Sequence, residues 1–177
     1  HFMINNTELT IYVCTYNEEK NIKDCLTSIR KNGFENIFIV DSSTNDLTFD
    51  KVKEAGFNVI RTSKGLAGQR QKAVEHCRTK YLMFVDADDR LDPNCINILF
   101  KDLILNNYDC IQAKLRVNYP LSYWQKAMDA NMQYCITVPG STNMIGRPAL
   151  YKSKLLKKVG MDVSFNNIGN EDAALSI

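Results

Sequence analysis

The sequence Tyr81-Leu82-Met83-Phe84-Val85 runs directly into Asp86-Ala87-Asp88-Asp89. An apolar run of this length, rich in aromatic and β-branched residues and closed by a polar cluster, predicts a buried strand. The carboxylates that follow it repel one another unless a positive charge lies among them. A hard divalent cation carrying a phosphate-bearing ligand suits them, because Mg²⁺ and Mn²⁺ bind one or two carboxylates together with substrate oxygens. The alternative is an acidic turn ahead of a helix that begins at Asp92-Pro93.

The composition is that of an ordinary globular domain, with 177 residues of which 45% are hydrophobic and 24% are charged. This length suits one domain with a sizeable core. The net charge of +2 gives no general attraction to nucleic acid. No apolar run approaches the roughly 20 residues that cross a bilayer. The dipeptide His1-Phe2 ahead of Met3 is interpreted as an expression scar.

The six cysteines are scattered, and none has a partner at the two-residue spacing of zinc or redox sites. Several occupy apolar positions, where a free cysteine behaves as a small hydrophobic residue. We therefore expect a reduced, cytoplasmic location, with the inner face of the membrane left open. The only histidines, His1 and His76, argue against histidine-based zinc sites and Ser-His triads.

Strand and helix patterns alternate along the first part of the chain. The predicted strands cover residues 10–14, 36–40, 58–60 and 81–85, and helical patterns separate and follow them. Such alternation implies a parallel sheet with right-handed crossovers. Beyond residue 108 the pattern predicts a strand within residues 110–117, a helix over residues 123–134 and a short basic helix over residues 152–159.

Polar clusters follow three of these strands, at residues 15–19, 41–46 and 86–89. In open parallel sheets, ligands bind in the crevice beyond the carboxyl ends of the strands. The topology alone therefore predicts that the three clusters line one pocket.

The order and spacing of four motifs resemble the family 2 glycosyltransferases of the GT-A fold. The motifs are Thr15-Tyr16-Asn17-Glu18-Glu19, residues 40–46, Asp86-Ala87-Asp88-Asp89 and Glu171-Asp172. The resemblance implies one α/β domain of GT-A type over residues 3–177, with a Rossmann-like, mostly parallel sheet flanked by helices. Its nucleotide-binding half covers about residues 8–105. Its acceptor-side half covers about residues 106–177, and we expect that half to be truncated at its carboxyl end.

The resemblance also implies which side chains bind the donor nucleotide. They are Thr15, Tyr16, Asn17, Glu18, Asp41, Lys64, Arg70 and Asp86. Tyr16 is expected to stack on the nucleobase, and Asp41 is expected to accept a hydrogen bond from the base, as the family's aspartate does with uracil. Lys64 and Arg70 belong to a basic segment that opens a helix, and cations at a helix amino end suit a diphosphate.

Local alternatives stay open for several of these residues. Asn17 fits a helix N-cap, Asp41 fits an acidic turn, and Lys64 and Arg70 fit a solvated helix face. The chain departs from the family's usual residues at Ser43, which replaces glycine, at Asn45, which replaces threonine, and at Gln71, which replaces asparagine.

The same resemblance assigns the metal and the general base. Asp88, with help from Asp86, is expected to coordinate Mn²⁺ or Mg²⁺, which neutralises charge on the leaving nucleotide, and Asp89 is expected to orient its neighbours. Asp172 is the expected general base, which takes the proton from an acceptor hydroxyl as that oxygen attacks the anomeric carbon and inverts it. The alternative is that residues 170–172 cap a terminal helix.

The predicted function is inverting transfer of a sugar from a nucleoside-diphosphate sugar, preferentially UDP-linked, to a hydroxyl of a saccharide or glycolipid acceptor, as in polysaccharide biosynthesis. One rival is a sugar nucleotidyltransferase, but residues 10–19 lack the glycine-rich phosphate loop expected of that class. A second rival is a catalytically silent module that binds nucleotide sugars.

Two further features bear on partners. A basic run is interpreted as a solvated face, with contact to anionic lipids as the alternative; it comprises Arg147, Lys152, Lys154, Lys157 and Lys158. Trp124, Met128 and Met132 lie four residues apart and are interpreted as core or as a dimer contact. Homo-oligomer formation and peripheral membrane contact both stay open.

Overall fold

One mixed sheet organises the part of the chain that the computed structural model describes, which is residues 3–45, 47–136, 140 and 145–163. Its strands are β1 (Leu9–Thr15), β2 (Ile37–Asp41), β3 (Asn58–Arg61), β4 (Tyr81–Asp86), β5 (Cys110–Gln112) and β6 (Ala149–Lys152). They lie in the order β3-β2-β1-β4-β6-β5. The first four strands in the chain run parallel, and β6 runs antiparallel to both β4 and β5.

Helices connect and flank the strands. They are α1 (Ile22–Lys31), α2 (Thr48–Glu54), α3 (Leu66–His76), α4 (Cys95–Leu105), α5 (Tyr123–Asn131) and α6 (Ser153–Val159), and a π-helical turn at Met132–Ile136 continues α5. None of these helices has the length and apolar character needed to cross a bilayer within the described residues.

The sheet is buried on both faces, which explains why its strands read as nearly continuous apolar runs. Along β4, Tyr81, Met83 and Val85 pack on one side with α1, α2 and α4. Leu82 and Phe84 point to the other side and pack with α3 and α6. The two-residue period of the strand thus supplies both cores from one sequence segment.

The strand register places the predicted clusters side by side. Thr15 pairs with Asp41 across β1 and β2, and Cys14 pairs with Asp86 across β1 and β4. The chain extends outward from β1 to β3 and then returns to the opposite side of β1 as β4. This reversal creates a crevice at the carboxyl ends of β1 and β4, which is where ligands bind in such sheets.

The predictions for the amino-terminal strands are confirmed, and those beyond residue 108 are confirmed in part. The strand predicted within residues 110–117 ends at Gln112, because the chain leaves the sheet after Ala113 donates to the Pro148 carbonyl at 2.8 Å. The sequence analysis missed β6, whose four residues are too few to show a period. The basic helix is present as α6.

The prediction that Trp124 and Met128 belong to the core is wrong. Their side chains lie on α5 and are 79% and 56% exposed. No residue of α5 is buried. The helix therefore contributes nothing to either core of this chain.

Candidate active site

A cavity of about 380 Å³ occupies the crevice at the carboxyl ends of β1 and β4. Its walls come from the ends of these strands, from the segment that opens α3 and from the acidic loop after β4. The lining residues are Cys14, Thr15, Tyr16, Glu18, Ser42, Lys64, Gly65, Leu66, Gln69, Asp86, Ala87 and Asp88. Six residues predicted from the sequence are thus brought together, namely Thr15, Tyr16, Glu18, Lys64, Asp86 and Asp88.

Asp41 lies behind the cavity wall and is fully buried. Its Oδ1 accepts hydrogen bonds from the hydroxyls of Thr15 at 2.7 Å and Ser43 at 2.6 Å. Its Oδ2 is paired with the Arg61 guanidinium, which also donates to the Ser43 carbonyl at 3.0 Å. The carboxylate therefore joins the ends of β1, β2 and β3, and protein donors occupy both of its oxygens. Ser43, one of the departures from the family pattern, supplies one of these bonds.

Asn17 also connects two loops by hydrogen bonds in this structure. Its backbone has a φ of 58°, in the left-handed region that asparagine tolerates better than most residues. Its amide N–H donates to the Ser43 hydroxyl at 2.8 Å, and its side-chain oxygen accepts from the Thr44 amide at 3.1 Å. Asn17 thus ties the loop after β1 to the loop after β2. The residue that precedes α1 is Asn21, so the N-cap interpretation of Asn17 is wrong.

Tyr16 and Lys64 face each other across one end of the cavity. The Lys64 ammonium lies 4.4 Å from the centroid of the Tyr16 ring, a cation–π distance. Hydrogen bonds with Lys64 and with Thr44, and the charge of Lys64, lower the pKa of the Tyr16 phenol below its ordinary value. An aromatic face and a cation therefore stand at the same end of the site.

The start of α3 forms the wall beside Lys64. Gly65 has a φ of 139°, a conformation that favours glycine, and its carbonyl accepts from the Gln69 amide at 2.9 Å. This places the amino end of α3 against the cavity. A helix amino end offers unpaired N–H groups and a partial positive charge, which suit an anion.

Gln69 lines the cavity and was not among the site residues predicted from the sequence. It is 3% exposed, and its side-chain amide donates to the carbonyls of Thr15 at 2.9 Å and Val40 at 2.7 Å. Because its nitrogen is fixed by two carbonyls, its oxygen is the polar atom left for the cavity. No clear signal in the sequence marked it, because Gln69 and Gln71 both lie between Ala67 and Ala73 and only the fold shows that Gln69 is the buried one.

Two buried arginines lie beneath the acidic loop. Arg70 is 2% exposed and donates to Asp86 Oδ1 at 3.3 Å, so it supports the cavity from behind rather than lining it. Arg147 is 5% exposed, and both guanidinium carbons lie within about 6 Å of the Phe84 ring centroid, Arg70 at 6.0 Å and Arg147 at 5.6 Å. The interpretation of Arg147 as part of a solvated basic face is therefore wrong. Its guanidinium instead lies against the Phe84 ring.

The acidic loop is a closed turn. Asp89 Oδ2 accepts from the Asp86 amide at 3.0 Å, and the Asp89 amide donates to the Asp86 carbonyl at 3.0 Å. Burial, reinforced by the charge of Asp86, raises the pKa of Asp89 to about 7. Asp89 thus shapes the turn, whereas the side chains of Asp86 and Asp88 reach the cavity.

The donor set suits a hard cation that shares its coordination with a ligand. Asp86 has 42% of its side chain exposed, Asp88 is exposed, and both offer carboxylate oxygens to the cavity. The described residues contain no cluster of three or more histidine, cysteine or acidic side chains that could hold a metal alone. Two carboxylates completed by phosphate oxygens are a usual arrangement for Mg²⁺. The predicted general base, Asp172, and its neighbour Glu171 lie outside the described residues.

Comparison with known proteins identifies the family. Residues 10–174 match the family model of glycosyl transferase family 2. The chain belongs to this family. Among curated relatives, the putative glycosyltransferase EpsH of Bacillus subtilis is 30% identical over 114 residues, which cover 56% of this chain and 33% of EpsH. The chain spans less than half of the length of the curated relatives it matches.

Solved structures of other proteins show the same fold. S. aureus TarS (residues 1–349), in complex with UDP-GlcNAc, superposes with a TM-score of 0.71 at 18% identity, over 96% of this chain and 52% of that one. The mannosyltransferase PcManGT from Pyrobaculum calidifontis, in complex with GDP-Man and Mn²⁺, superposes with a TM-score of 0.67 at 20% identity, over 94% of this chain and 50% of that one. The predicted GT-A fold is confirmed.

Proposed function

We propose that this chain transfers a sugar from a nucleoside-diphosphate sugar, preferentially UDP-linked, to a hydroxyl of a saccharide or glycolipid acceptor. The observation that carries the proposal is the cavity at the β1–β4 crevice, whose lining combines an aromatic ring and the cation beside it with the carboxylates of Asp86 and Asp88. A nucleoside diphosphate likewise combines an aromatic base, which suits the ring, with an anionic diphosphate, which suits the cation and a metal ion held by the carboxylates.

The base end is assigned to Tyr16, with Thr15, Asn17, Glu18 and Asp41 around it. Tyr16 stacks on the base. Asp41, whose oxygens both accept bonds from the protein, acts by holding Thr15 in place. Asn17 contributes by fixing the loop that carries Tyr16 and Glu18.

The diphosphate is assigned to Lys64, which lies beside Tyr16, and to the amino end of α3 and the acidic loop. Lys64 supplies positive charge, and Arg70 holds Asp86 from beneath. Asp88 and Asp86 would hold Mn²⁺ or Mg²⁺, which when bound neutralises negative charge on the diphosphate leaving group. The binding of GDP-Man and Mn²⁺ by PcManGT, a structural neighbour, supports a divalent cation.

The transfer step needs two groups, an attacking hydroxyl and an activated leaving group. The acceptor oxygen forms a bond to the anomeric carbon while the bond from that carbon to the phosphate oxygen breaks, which inverts the configuration. Asp172 takes the hydroxyl proton. A general base of this kind contributes roughly 10²–10⁴-fold in rate.

Thermal unfolding and calorimetry with UDP and Mn²⁺ test the donor site. We expect UDP with Mn²⁺ to raise the melting temperature more than UDP alone, because Asp88 and Asp86 would hold a cation that attracts the diphosphate. Asp88→Ala should abolish the Mn²⁺-dependent part of the shift. Asp102→Ala is the matched control, since it removes an exposed carboxylate near the end of α4 that does not line the cavity.

The result that contradicts the donor site is the absence of any shift with UDP, GDP, CDP or dTDP, with or without Mn²⁺. Release of UDP from a UDP-sugar then separates an enzyme from a silent module. Binding without release in the wild type, under conditions that saturate the site, would favour the silent module. Loss of release in Asp172→Asn, with binding retained, would support Asp172 as the base.

A further inference from the structure

Three buried side chains on one side of α1 lie along the acidic loop and the residues that follow it. Cys25 and Ser28 belong to α1, and Asn32 follows the helix directly. Spacings of three and four residues place them on the same side of the helix, and we call them the α1 strip. Their exposed fractions are 0%, 8% and 9%. Buried polar side chains need partners, so the bonds of the strip show what it holds.

The α1 strip is bonded to both ends of the acidic loop. The Cys25 thiol donates to the Asp86 carbonyl, with 3.4 Å between sulfur and oxygen. The Ser28 hydroxyl donates to the Cys25 carbonyl at 2.7 Å and accepts from the Leu91 amide at 3.0 Å. These bonds lie on either side of the segment that carries the cavity's two carboxylates. Helix α1 therefore fixes the path of the loop from its first residue to the residues just beyond it.

Asn32 continues the attachment towards α4. Its side-chain nitrogen donates to the Asp92 carbonyl at 3.1 Å and to the Ser28 carbonyl at 3.0 Å. Its side-chain oxygen accepts from the Ile96 amide at 3.3 Å. Ile96 lies in the first turn of α4, where the backbone amides have no partner within the helix. One side chain therefore connects the end of α1, the segment after the acidic loop and the start of α4.

Arg90 adds an exposed contact between the same helix and the loop. Its guanidinium lies 3.5 Å from the Asp24 carboxylate of α1 and donates to the Asp89 carbonyl at 2.9 Å. Asp24 has 71% of its side chain exposed, and an exposed ion pair contributes little to stability. The buried bonds of the α1 strip therefore provide most of the attachment.

We propose that Cys25 and Ser28 are positioning residues for the cation site. Their bonds hold the acidic loop in the arrangement in which Asp86 and Asp88 bind a divalent cation. This role rests on the proposed function, which assigns the cation to these two carboxylates. Like charges repel, so a loop that carries both carboxylates tends to open when no cation is bound. Attachment to a core helix keeps the loop in place beforehand, and cation binding then has fewer groups to order.

A second buried cysteine–serine pair provides a matched control. Cys77 and Ser153 are 0% and 3% exposed, and 3.4 Å separates the sulfur from the hydroxyl oxygen. The Cys77 thiol donates to the Thr79 carbonyl at 3.7 Å, and the Ser153 amide donates to the Lys80 carbonyl at 3.0 Å. These partners precede β4, whereas the acidic loop follows it. The two pairs are thus alike in burial and chemistry but lie at opposite ends of the strand.

Hydrogen exchange in the protein without nucleotide or metal tests the attachment. Ser28→Ala removes the acceptor of the Leu91 amide. We expect the amides of residues 86–91 to exchange about tenfold faster relative to the amides of β1, because a buried hydrogen bond is lost. Ser153→Ala should leave this relative rate at the wild-type value.

Calorimetry of UDP binding tests whether the attachment serves the cation. The quantity compared is the ratio of the dissociation constants for UDP without and with Mn²⁺, measured well below the melting temperature of each variant. Ser28→Ala should lower this ratio about tenfold, as changes in groups that orient metal ligands do. Its affinity for UDP without Mn²⁺ should stay at the wild-type value. Ser153→Ala should keep the wild-type ratio, even where its melting temperature falls as far.

Cys25→Ala and Cys77→Ala form a milder pair that applies if Ser28→Ala does not fold. The Asp86 carbonyl still accepts from the Asp89 amide at 3.0 Å when the Cys25 thiol is removed. We therefore expect Cys25→Ala to lower the Mn²⁺ ratio by only about threefold, because the remaining bond is a stronger one than a thiol makes. Cys77→Ala should leave the ratio unchanged.

Two results would overturn the positioning role while leaving the donor site intact. One is a wild-type Mn²⁺ ratio in both Ser28→Ala and Cys25→Ala. The other is an equal fall of the ratio in Ser153→Ala and Cys77→Ala, which would mean that any loss of buried packing has the same effect. A wild-type protein whose UDP binding does not respond to Mn²⁺ would instead contradict the proposed cation site itself, and the positioning role with it.

Discussion

The region around the cavity and the segment that carries α5 use polar and apolar residues in opposite ways. At the cavity, polar groups such as Asp41 and Gln69 are buried and bonded to strand ends, and apolar strands lie beneath them. In α5, the polar Asp129 attaches the helix and the apolar residues face outward. In the first region the polar groups named here are buried and hydrogen-bonded, whereas in the second the apolar side chains are exposed.

The sharpest test of this contrast is a pair of large-to-small substitutions. Leu82→Ala should lower the free energy of unfolding by about 3 kcal/mol, because Leu82 is fully buried between the sheet and α3. Met128→Ala should change it by less than about 0.5 kcal/mol, because Met128 is exposed. Urea unfolding followed by far-ultraviolet circular dichroism measures both.

A large loss of stability in Met128→Ala would break the contrast. It would show that α5 packs against apolar surface in the free protein. Equal m-values for the two variants and the wild type are needed for the comparison, since a change in m would signal a different unfolding transition.

The sequence predicted the cavity region well because its signals are local and repeated. The run from Tyr81 to Val85 defines a strand by itself, and parallel topology then brings the ends of β1, β2 and β4 together. Six of the predicted donor-site residues line one cavity for that reason. The sequence analysis therefore did not need to predict any contact between individual distant residues.

The sequence predictions are incomplete where tertiary contacts determine the surroundings of a side chain. Arg147 belongs to a basic run in sequence, yet it is buried against Phe84, a contact that periodicity does not encode. Asp41 was placed at the correct strand end, but its pairing with Arg61 depends on the register of β2 and β3. Trp124 and Met128 show the helical spacing of a core face. That spacing does not tell which side of the helix faces the core.

A second, smaller effect comes from removing the polar bonds of the cavity wall. Gln69→Leu should lower the free energy of unfolding by about 2 kcal/mol, because the carbonyls of Thr15 and Val40 lose their shared donor while buried. The same variant should weaken UDP binding, since the wall loses its polar atom. Calorimetry and urea unfolding give the two values.

The matched control is Gln125→Leu in α5. Gln125 takes part only in the capping box with Ser122 and in a bond from the Leu121 amide. Its loss should loosen α5 in hydrogen exchange while leaving global unfolding and UDP affinity at their wild-type values. Equal global effects of the two glutamine substitutions would remove the distinction between the two regions.

A further effect is a dependence on pH that belongs to the acidic loop. Burial and the Asp86 charge raise the pKa of Asp89 to about 7, well above its ordinary value of 3.8. Between these values the folded chain holds a proton that the unfolded chain has lost. The contribution of Asp89 to the free energy of unfolding therefore falls as pH rises from about 4 to about 7, and it is constant above that range.

Asp89→Asn should remove this part of the slope, because the asparagine oxygen still accepts from the Asp86 amide but does not ionise. Asp102→Asn, at an exposed position on α4, should keep the wild-type slope. Urea unfolding at pH 4, 5, 6, 7 and 8 for the three proteins is the measurement. If Asp89→Asn reproduces the wild-type curve, Asp89 is ionised throughout this range. Burial and the charge of Asp86 would then raise its pKa to a value well below 7.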